Sequence, residues 1–149
     1  MSKRLTPIYL LLCLNCTTAF FNRNGVLNLC RRGAAVKRNP QRWQDETSEA
    51  IAKHDVAICF EERIFDAVVE DLQMREPTSD FEPIHVICLD TKDNPTEAQK
   101  QGQVALDLCW LLEEAADDLT YRAAEIVEQF QEDRMQHTPI RILYQLCYL

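Results

Sequence analysis

The chain has 149 residues, of which 46% are hydrophobic and 27% are charged, as in an ordinary folded globular protein. Its length predicts one domain with its own core, and its three glycines and six prolines exclude collagen-like and low-complexity sequence. A net charge of −8 argues against general nucleic-acid binding, so we expect no direct nucleic-acid contact.

The first 21 residues, MSKRLTPIYLLLCLNCTTAFF, combine a basic start, an apolar run and small residues, a pattern found in signal peptides. The apolar run is too short to span a membrane as a helix. Two other interpretations of residues 7–16 stay open: a substitute strand that ends in a cysteine, or a tail of unrelated origin. An odd, unpatterned set of cysteines argues against secretion, and we expect no membrane contact.

Positive charge is concentrated early in the chain. Residues 1–50 contain eight Lys and Arg against three Asp and Glu, and residues 51–149 contain eight against twenty-one. The basic cluster RRGAAVKRNPQRW, residues 31–43, is interpreted either as a solvated loop or as a contact for an anionic partner such as a phosphopeptide or RNA.

Two buried strands are predicted, VAICF at 56–60 and IHVICLD at 84–90, because each is a continuous apolar run of strand length. Three helices are predicted from apolar residues at helical spacing. Their apolar sets are Ile64, Phe65, Val68, Val69 and Leu72; Val104, Leu108, Leu111 and Leu112; and Leu119, Ala123, Ile126, Val127 and Phe130. The closing stretch PIRILYQLCYL is strand-like. This alternation predicts an α/β fold with a parallel sheet flanked by helices.

The cysteines do not form a metal-site pattern. Only Cys13 and Cys16 are closely spaced, and neither a second pair nor nearby histidines complete a zinc site. Cys59, Cys88 and Cys109 stand in apolar runs, which is typical of free buried cysteines in a reducing compartment. We therefore expect no metal and no cofactor.

The turn DTKDN follows the second predicted strand and contains Asp90 and Asp93. Open α/β sheets place their chemistry just beyond the carboxyl ends of the strands, so an acid here is a candidate proton donor. The alternative is a helix-capping turn, because Asp and Asn favour such positions.

Several stretches together resemble one family, the RNA polymerase II C-terminal-domain phosphatases, which have a fold like that of the low-molecular-weight tyrosine phosphatases. The resemblance covers about residues 20–149, and the segment CFEERIFDAVVEDL is its most specific part. The other stretches are FFNRNGVLNLCRR, NPQRWQD, PIHVICLDTKDNPTEA and the closing LCYL.

The resemblance implies a cysteine thiolate that attacks phosphoserine of the polymerase tail, without a metal or cofactor. It also implies that Asp93 occupies the general-acid position, with Asp90 as a supporting aspartate. Its implied partners are the phosphorylated polymerase tail and a symplekin-type scaffold of the cleavage and polyadenylation machinery, and its implied location is the nucleus.

One part of the family pattern is missing from these 149 residues. The family nucleophile lies in a Cys-x5-Arg-Ser loop after the first strand, but no cysteine here has an arginine six residues on. The residues at that spacing are Ala19, Asn22, Val36, Phe65, Asn94 and Ala115, and Cys147 is too close to the last residue. We therefore expect residues 1–19 to be a divergent segment and residues 20–149 to be the C-terminal part of the phosphatase domain, without the usual first strand and phosphate loop.

Whether this chain is itself an enzyme stays open from the sequence. One hypothesis is an incomplete or alternative product of a working phosphatase gene, inactive alone. The second is a catalytically dead module that binds the scaffold. The third is a secreted protein that uses the N-terminal apolar run as a signal.

Overall fold

The structure is a computed structural model that describes residues 42–92, 94–135 and 140–149, together with Arg31, Ala34 and Ala35, which are helical. The predictions for residues 1–21 therefore lie outside the described residues. A short 3-10 helix covers Trp43–Asp45. It belongs to a compact unit that ends at Glu46, and that unit is described separately from the rest of the chain. The described residues from Thr47 onward form a second compact unit.

That unit contains three strands and four α-helices among its described residues. In chain order they are α1 (Ser48–Ile51), β1 (Val56–Cys59), α2 (Glu62–Met74), β2 (Pro83–Leu89), α3 (Pro95–Glu114), α4 (Leu119–Met135) and β3 (Ile142–Tyr148). A 3-10 turn, Ala116–Asp118, joins α3 to α4. The two predicted buried strands, the three predicted helices and the strand-like closing stretch are all confirmed.

The three strands form one sheet in the order β1-β2-β3. β1 runs parallel to β2, with Val56 opposite His85, and β3 runs antiparallel to β2, with Ile142 opposite Leu89. The predicted α/β class with flanking helices is confirmed, but the sheet is mixed rather than wholly parallel. The reason is the helix pair: α3 leads away from the end of β2 and α4 leads back, so β3 starts beside that end and runs the opposite way.

The main core lies between one face of the sheet and the helix pair α3/α4. Side chains alternate between the faces of a strand, so Ile58, Ile87 and Leu89 all point to this side. They pack with buried side chains from both helices, which are Val104, Ala105, Leu108, Leu112, Leu119, Ala123, Val127 and Phe130. Helix α2 contacts all three strands and buries Phe65, Val68 and Leu72. No helix in the described part of the chain is long and apolar enough to cross a membrane.

One polar pair interrupts the apolar strands. His85 is only 1% exposed, and its Nδ1 lies 2.9 Å from the hydroxyl oxygen of Tyr144 on β3. Burial lowers the pKa of His85, which favours the neutral form of the imidazole. The hydrogen bond satisfies a buried polar side chain that would otherwise destabilise the core.

The last residue, Leu149, is fully buried beside the loop that precedes β2. The amide of Glu82 donates to its carbonyl at 2.7 Å, and its own amide donates to the carbonyl of Glu82 at 3.0 Å. The Thr78 hydroxyl donates to the same Leu149 carbonyl at 2.8 Å. These bonds hold the C-terminal end of β3 in register with the start of β2.

Candidate active site

The candidate site lies at the carboxyl edge, the edge of the sheet where the parallel strands β1 and β2 end together. Cys59 and Cys88 are register partners at this edge. Beyond β1 the chain turns through Phe60 into α2, and beyond β2 it enters residues 90–94. The amide of Thr91 donates to the carbonyl of Phe60 at 3.0 Å, so the two connections are joined to each other.

The stretch from Asp90 to Asn94 is here called the 90–94 turn, and its described residues are held by hydrogen bonds to β2, α3 and Phe60. The Thr91 hydroxyl donates to the carbonyl of Leu89 at 2.6 Å. From α3, the side-chain amide of Gln101 donates to the carbonyl of Asp90 at 3.2 Å. Because the bond from Gln101 uses the backbone carbonyl of Asp90, the exposed carboxylate of Asp90 is left facing solvent at the carboxyl edge.

Asn94 performs the capping role that the sequence suggested as the alternative for this turn. Its side-chain oxygen accepts from the amide of Glu97 at 2.9 Å, and Pro95 takes the first helical position of α3. Its own amide donates to the carbonyl of Lys92 at 2.7 Å. Asp93 lies outside the described residues, so its assignment as the general acid stays a prediction, as does the supporting role of Asp90.

The carboxyl edge is negatively charged around Cys88. Carboxylates from the 90–94 turn and from the first turns of α2 act on it, namely Asp90, Glu62 and Asp66. Burial is the largest cause that raises the pKa of the Cys88 thiol, and the neighbouring Cys59 and these carboxylates raise it further. A phosphate group, which carries negative charge, would be repelled by the same carboxylates.

Two arginines at the start of α2 and β3 are already engaged. Arg63 forms an ion pair with Glu61 at 3.0 Å, and Arg141 donates to both carboxylate oxygens of Glu62 at 3.1 and 3.2 Å. Both pairs are largely solvent-exposed. At this edge the described residues therefore provide carboxylates and paired arginines, and this arrangement does not favour anion binding.

The described cysteines are free and are not activated nucleophiles. Burial, the largest cause, raises the pKa of Cys59 to about 11 and that of Cys88 to about 12. Burial also raises the pKa of Cys109 and Cys147. A nucleophilic thiol needs a lowered pKa, so none of these four side chains has the character of an activated nucleophile. The predicted free, buried state is confirmed for Cys59 and Cys88, whereas Cys109 is half-buried.

Gln101 is the site residue that sequence reasoning missed. It is a polar residue with 8% exposure on a helix face that otherwise carries Val104, Ala105 and Leu108. The sequence did contain a signal, because Gln101 falls at helical spacing within this apolar set. Its partner, the carbonyl of Asp90, could be identified only from the fold. Among the residues that the structure describes, no group of three or more His, Cys, Asp or Glu side chains is placed to hold a metal ion.

Comparison with known families gives a match over nearly the whole chain. Residues 8–149 match the model of the family described as Ssu72-like protein. The chain is 34% identical over 127 residues to the RNA polymerase II C-terminal domain phosphatase SSU72 of Dictyostelium discoideum. It is 36% identical over 128 residues to the protein of the same name from Schizosaccharomyces pombe.

The matches cover 85% and 86% of this chain but only 56% and 61% of those two relatives. The chain therefore spans little more than half the length of the curated relatives it matches.

Solved structures agree with the family match. The fold is similar to that of Drosophila melanogaster Ssu72 in a crystal structure with Symplekin and a cis peptidomimetic of a phosphorylated CTD peptide. The TM-score is 0.74 at 27% identity, and the match covers 88% of this chain and 64% of that one. A second crystal structure of the D. melanogaster serine phosphatase of the RNA polymerase II CTD also gives a TM-score of 0.74.

Proposed function

Because the chain belongs to the Ssu72 family, we propose that it is part of a protein serine phosphatase that acts on phosphoserine of the RNA polymerase II C-terminal domain. The observation that supports this most directly is the family match over residues 8–149, and the hydrogen bond between Thr91 and Phe60 at the carboxyl edge agrees with it. That hydrogen bond holds an aspartate-bearing turn beside the connection that follows β1.

In the proposed reaction, a cysteine thiolate forms a bond to phosphorus while the bond from phosphorus to the serine oxygen breaks. Asp93 gives its proton to the departing oxygen, which would otherwise leave as a strongly basic alkoxide. Asp90 supports the acid from the same turn. The residue types and the position of the turn support this assignment, since the turn follows a parallel strand at its carboxyl end.

We further propose that these 149 residues do not hydrolyse phosphoserine on their own. No cysteine of the chain has an arginine six residues on, so the nucleophile and its phosphate-binding arginine would have to come from outside this sequence. The raised pKa values of Cys59 and Cys88 support the same conclusion, because a neutral buried thiol does not attack phosphorus.

A second candidate function is a scaffold-binding module without catalysis. The missing Cys-x5-Arg pattern favours it, and the similar D. melanogaster Ssu72 is seen together with Symplekin. In both candidates the proposed partners are the phosphorylated polymerase tail and a symplekin-type scaffold in mRNA 3′-end processing. Both place the protein in the nucleus.

The test is phosphate release from a phosphoserine heptad peptide and from p-nitrophenyl phosphate. We expect the 149-residue chain to give no release above a blank, and Asp93→Asn to change nothing. Vanadate-sensitive release that Asp93→Asn abolishes would contradict inactivity and would make Cys13 and Cys16 candidate nucleophiles again.

Identifying the N-terminal peptide of the endogenous protein by mass spectrometry distinguishes the two candidate functions, the phosphatase and the scaffold-binding module. If the cell makes a longer product with a Cys-x5-Arg-Ser loop, that product should be active. Asp93→Asn should then lower its kcat by about 10²- to 10⁴-fold, the usual contribution of general acid catalysis. If Asp93→Asn in that longer product leaves kcat unchanged, the assignment of Asp93 is wrong.

A further inference from the structure

Two cysteines lie side by side at the carboxyl edge, and the proposed phosphatase chemistry uses neither of them. Cys59 is the last residue of β1, and Cys88 is its register partner on β2. Register partners of a parallel pair point to the same face of the sheet. Both thiols therefore lie on the face opposite the main core, beside α2, whose first turns carry the carboxylates that act on Cys88.

The spacing of this cysteine pair suits a disulfide. Neighbouring strands lie about 4.8 Å apart, and bridged cysteines have Cα atoms about 4.4 to 6.8 Å apart. Cys59 also contributes to the raised pKa of Cys88, as a close neighbour does. Both thiols are free and buried, so an intramolecular bond between them needs no other part of the chain to approach.

Cys147 provides a contrast within the same sheet. It is free and buried, and it lies opposite Ile84, four residues along β2 from Cys88. Four residues of strand span about 13 Å, so Cys147 is too far from Cys88 to form a bridge. Cys109 lies on α3, against the core on the other face. Among the described cysteines, strand register therefore brings Cys59 and Cys88 together.

The pair lies where both connections of the carboxyl edge begin. Phe60 directly follows Cys59, and its carbonyl accepts from the amide of Thr91, three residues after Cys88. A covalent bond between the two strand ends would therefore reinforce the join that this hydrogen bond makes between the two connections.

We propose that Cys59 and Cys88 form a reversible disulfide, a redox-sensitive clamp that fixes the ends of β1 and β2 at the carboxyl edge. The oxidant is a small disulfide of the glutathione type. Cys59, which is 6% exposed against 0% for Cys88, attacks it as a thiolate and releases one small thiol. Cys88 then loses its proton, attacks the Cys59 sulfur and releases the second small thiol. Two protein thiols are oxidised to one disulfide, and the small disulfide is reduced to two thiols. The clamp does not depend on the phosphatase assignment.

Burial makes this clamp slow to close. It raises the pKa of Cys59 to about 11 and that of Cys88 to about 12, so only a small fraction of either thiol is ionised at neutral pH. Because the thiolate is the species that attacks a disulfide, the exchange is slow. The position of the equilibrium depends on reduction potential and not on this rate. The clamp therefore responds to a sustained change in redox conditions rather than to a brief pulse of oxidant.

The test is the equilibrium of the full 149-residue chain with mixtures of reduced and oxidised glutathione at pH 8, in the folded state and in concentrated urea. After free thiols are alkylated, trypsin leaves Cys59 in residues 54–63 and Cys88 in residues 76–92, so mass spectrometry identifies their linked peptide. The effective concentration of the pair is the ratio of squared reduced to oxidised glutathione at half oxidation. We expect it to be at least about tenfold higher in the folded chain than in urea. An equal or lower value in the folded chain would overturn the proposal.

Matched variants show whether the linkage forms in the folded chain. Cys59→Ala should remove the linked peptide. Cys147→Ala removes another buried thiol from the same face of the sheet and should leave the yield of that peptide unchanged. Circular dichroism confirms that both variants are folded. A linked peptide between Cys88 and Cys147 in similar yield would mean that oxidation acts on unfolded chains, which would contradict the proposal.

Hydrogen exchange at the Thr91 amide measures the clamp itself. We expect exchange at least about threefold slower in the oxidised than in the reduced parent chain, because the cross-link restrains opening of the edge. The same glutathione mixtures should not change the rate in Cys59→Ala. Equal rates in the oxidised and reduced parent would show that the disulfide does not fix the carboxyl edge.

Discussion

The core under α3 and α4 and the 90–94 turn are close in sequence but are held in different ways. In the core, Leu108 and Leu112 are fully buried, and many neighbours share the packing. In the turn, Asp90, Lys92 and Asn94 are exposed, and a few hydrogen bonds set the path of the backbone. Burial of a large side chain contributes several kcal/mol, whereas one hydrogen bond contributes about 1 kcal/mol.

Because they are held in different ways, the core and the 90–94 turn should respond differently to substitutions. Loss of a core side chain should lower the stability of the whole unit, because the same cluster joins the sheet to both helices. Loss of a hydrogen bond at the turn should move or loosen the turn while the unit stays folded. The chemistry proposed for the carboxyl edge therefore depends on hydrogen bonds, which contribute less to stability than the burial of core side chains. The following variants test this difference between the core and the turn.

The largest effect is expected in the core. Leu108→Ala removes a fully buried side chain of α3, so it should lower the free energy of unfolding by about 2.5 to 5 kcal/mol through lost burial and the cavity left behind. Leu106→Ala is the matched control, because Leu106 lies on the same helix and is 44% exposed. Urea titrations should give a change below about 1 kcal/mol for the control. Similar losses for the two variants would mean that the core is placed wrongly.

Alkaline pH should weaken the part of the core that adjoins the carboxyl edge. The pKa of Cys88 is about 12 in the folded chain against 9.0 for an unperturbed thiol. A raised pKa means that the unfolded chain ionises first, so stability is intact below pH 9 and is lost as the pH rises above it. At pH 10 the loss should be about 1 kcal/mol.

Urea titrations at pH 8 and pH 10 test this loss. The Cys88→Ala variant should lose less stability between the two pH values than the parent chain, by about the same 1 kcal/mol. An identical loss in both proteins would contradict the buried, neutral state of this thiol.

At the turn, Gln101→Met removes the donor to the carbonyl of Asp90 while keeping the length of the side chain. We expect a loss of about 1 kcal/mol in unfolding free energy and faster hydrogen exchange at the Thr91 amide. Gln99→Met is the control, because Gln99 is exposed on the same helix. If exchange at Thr91 is equally fast in both variants, Gln101 does not position the turn.

The smallest effect is expected for the ion pair between Arg141 and Glu62, whose side chains are 67% and 45% exposed. Arg141→Gln should cost about 0.2 to 1 kcal/mol, as exposed pairs do. The cost should shrink at 1 M salt, where charges are screened within a few ångströms. A larger cost that does not change with salt would show that this pair contributes more than a surface ion pair.

Much of the fold could be predicted from the sequence. The apolar runs in β1 and β2 and the helical spacing in α2, α3 and α4 identified the elements, because burial imposes these patterns locally. The direction of β3 could not be predicted in this way, since it depends on how α3 and α4 return the chain. At the candidate site, the position of Asp90 beyond β2 followed from the strand, but its contact with Gln101 did not.

The sequence by itself determined the class of fold, the place of the aspartate turn and the absence of a Cys-x5-Arg pattern in these 149 residues. Each of these depends only on residues that are close together in the sequence. Only the tertiary structure decided which distant residues meet. It paired His85 with Tyr144, joined Thr91 to Phe60 and brought Gln101 to the carbonyl of Asp90. Those contacts depend on strand register and helix packing, which no short stretch of sequence specifies.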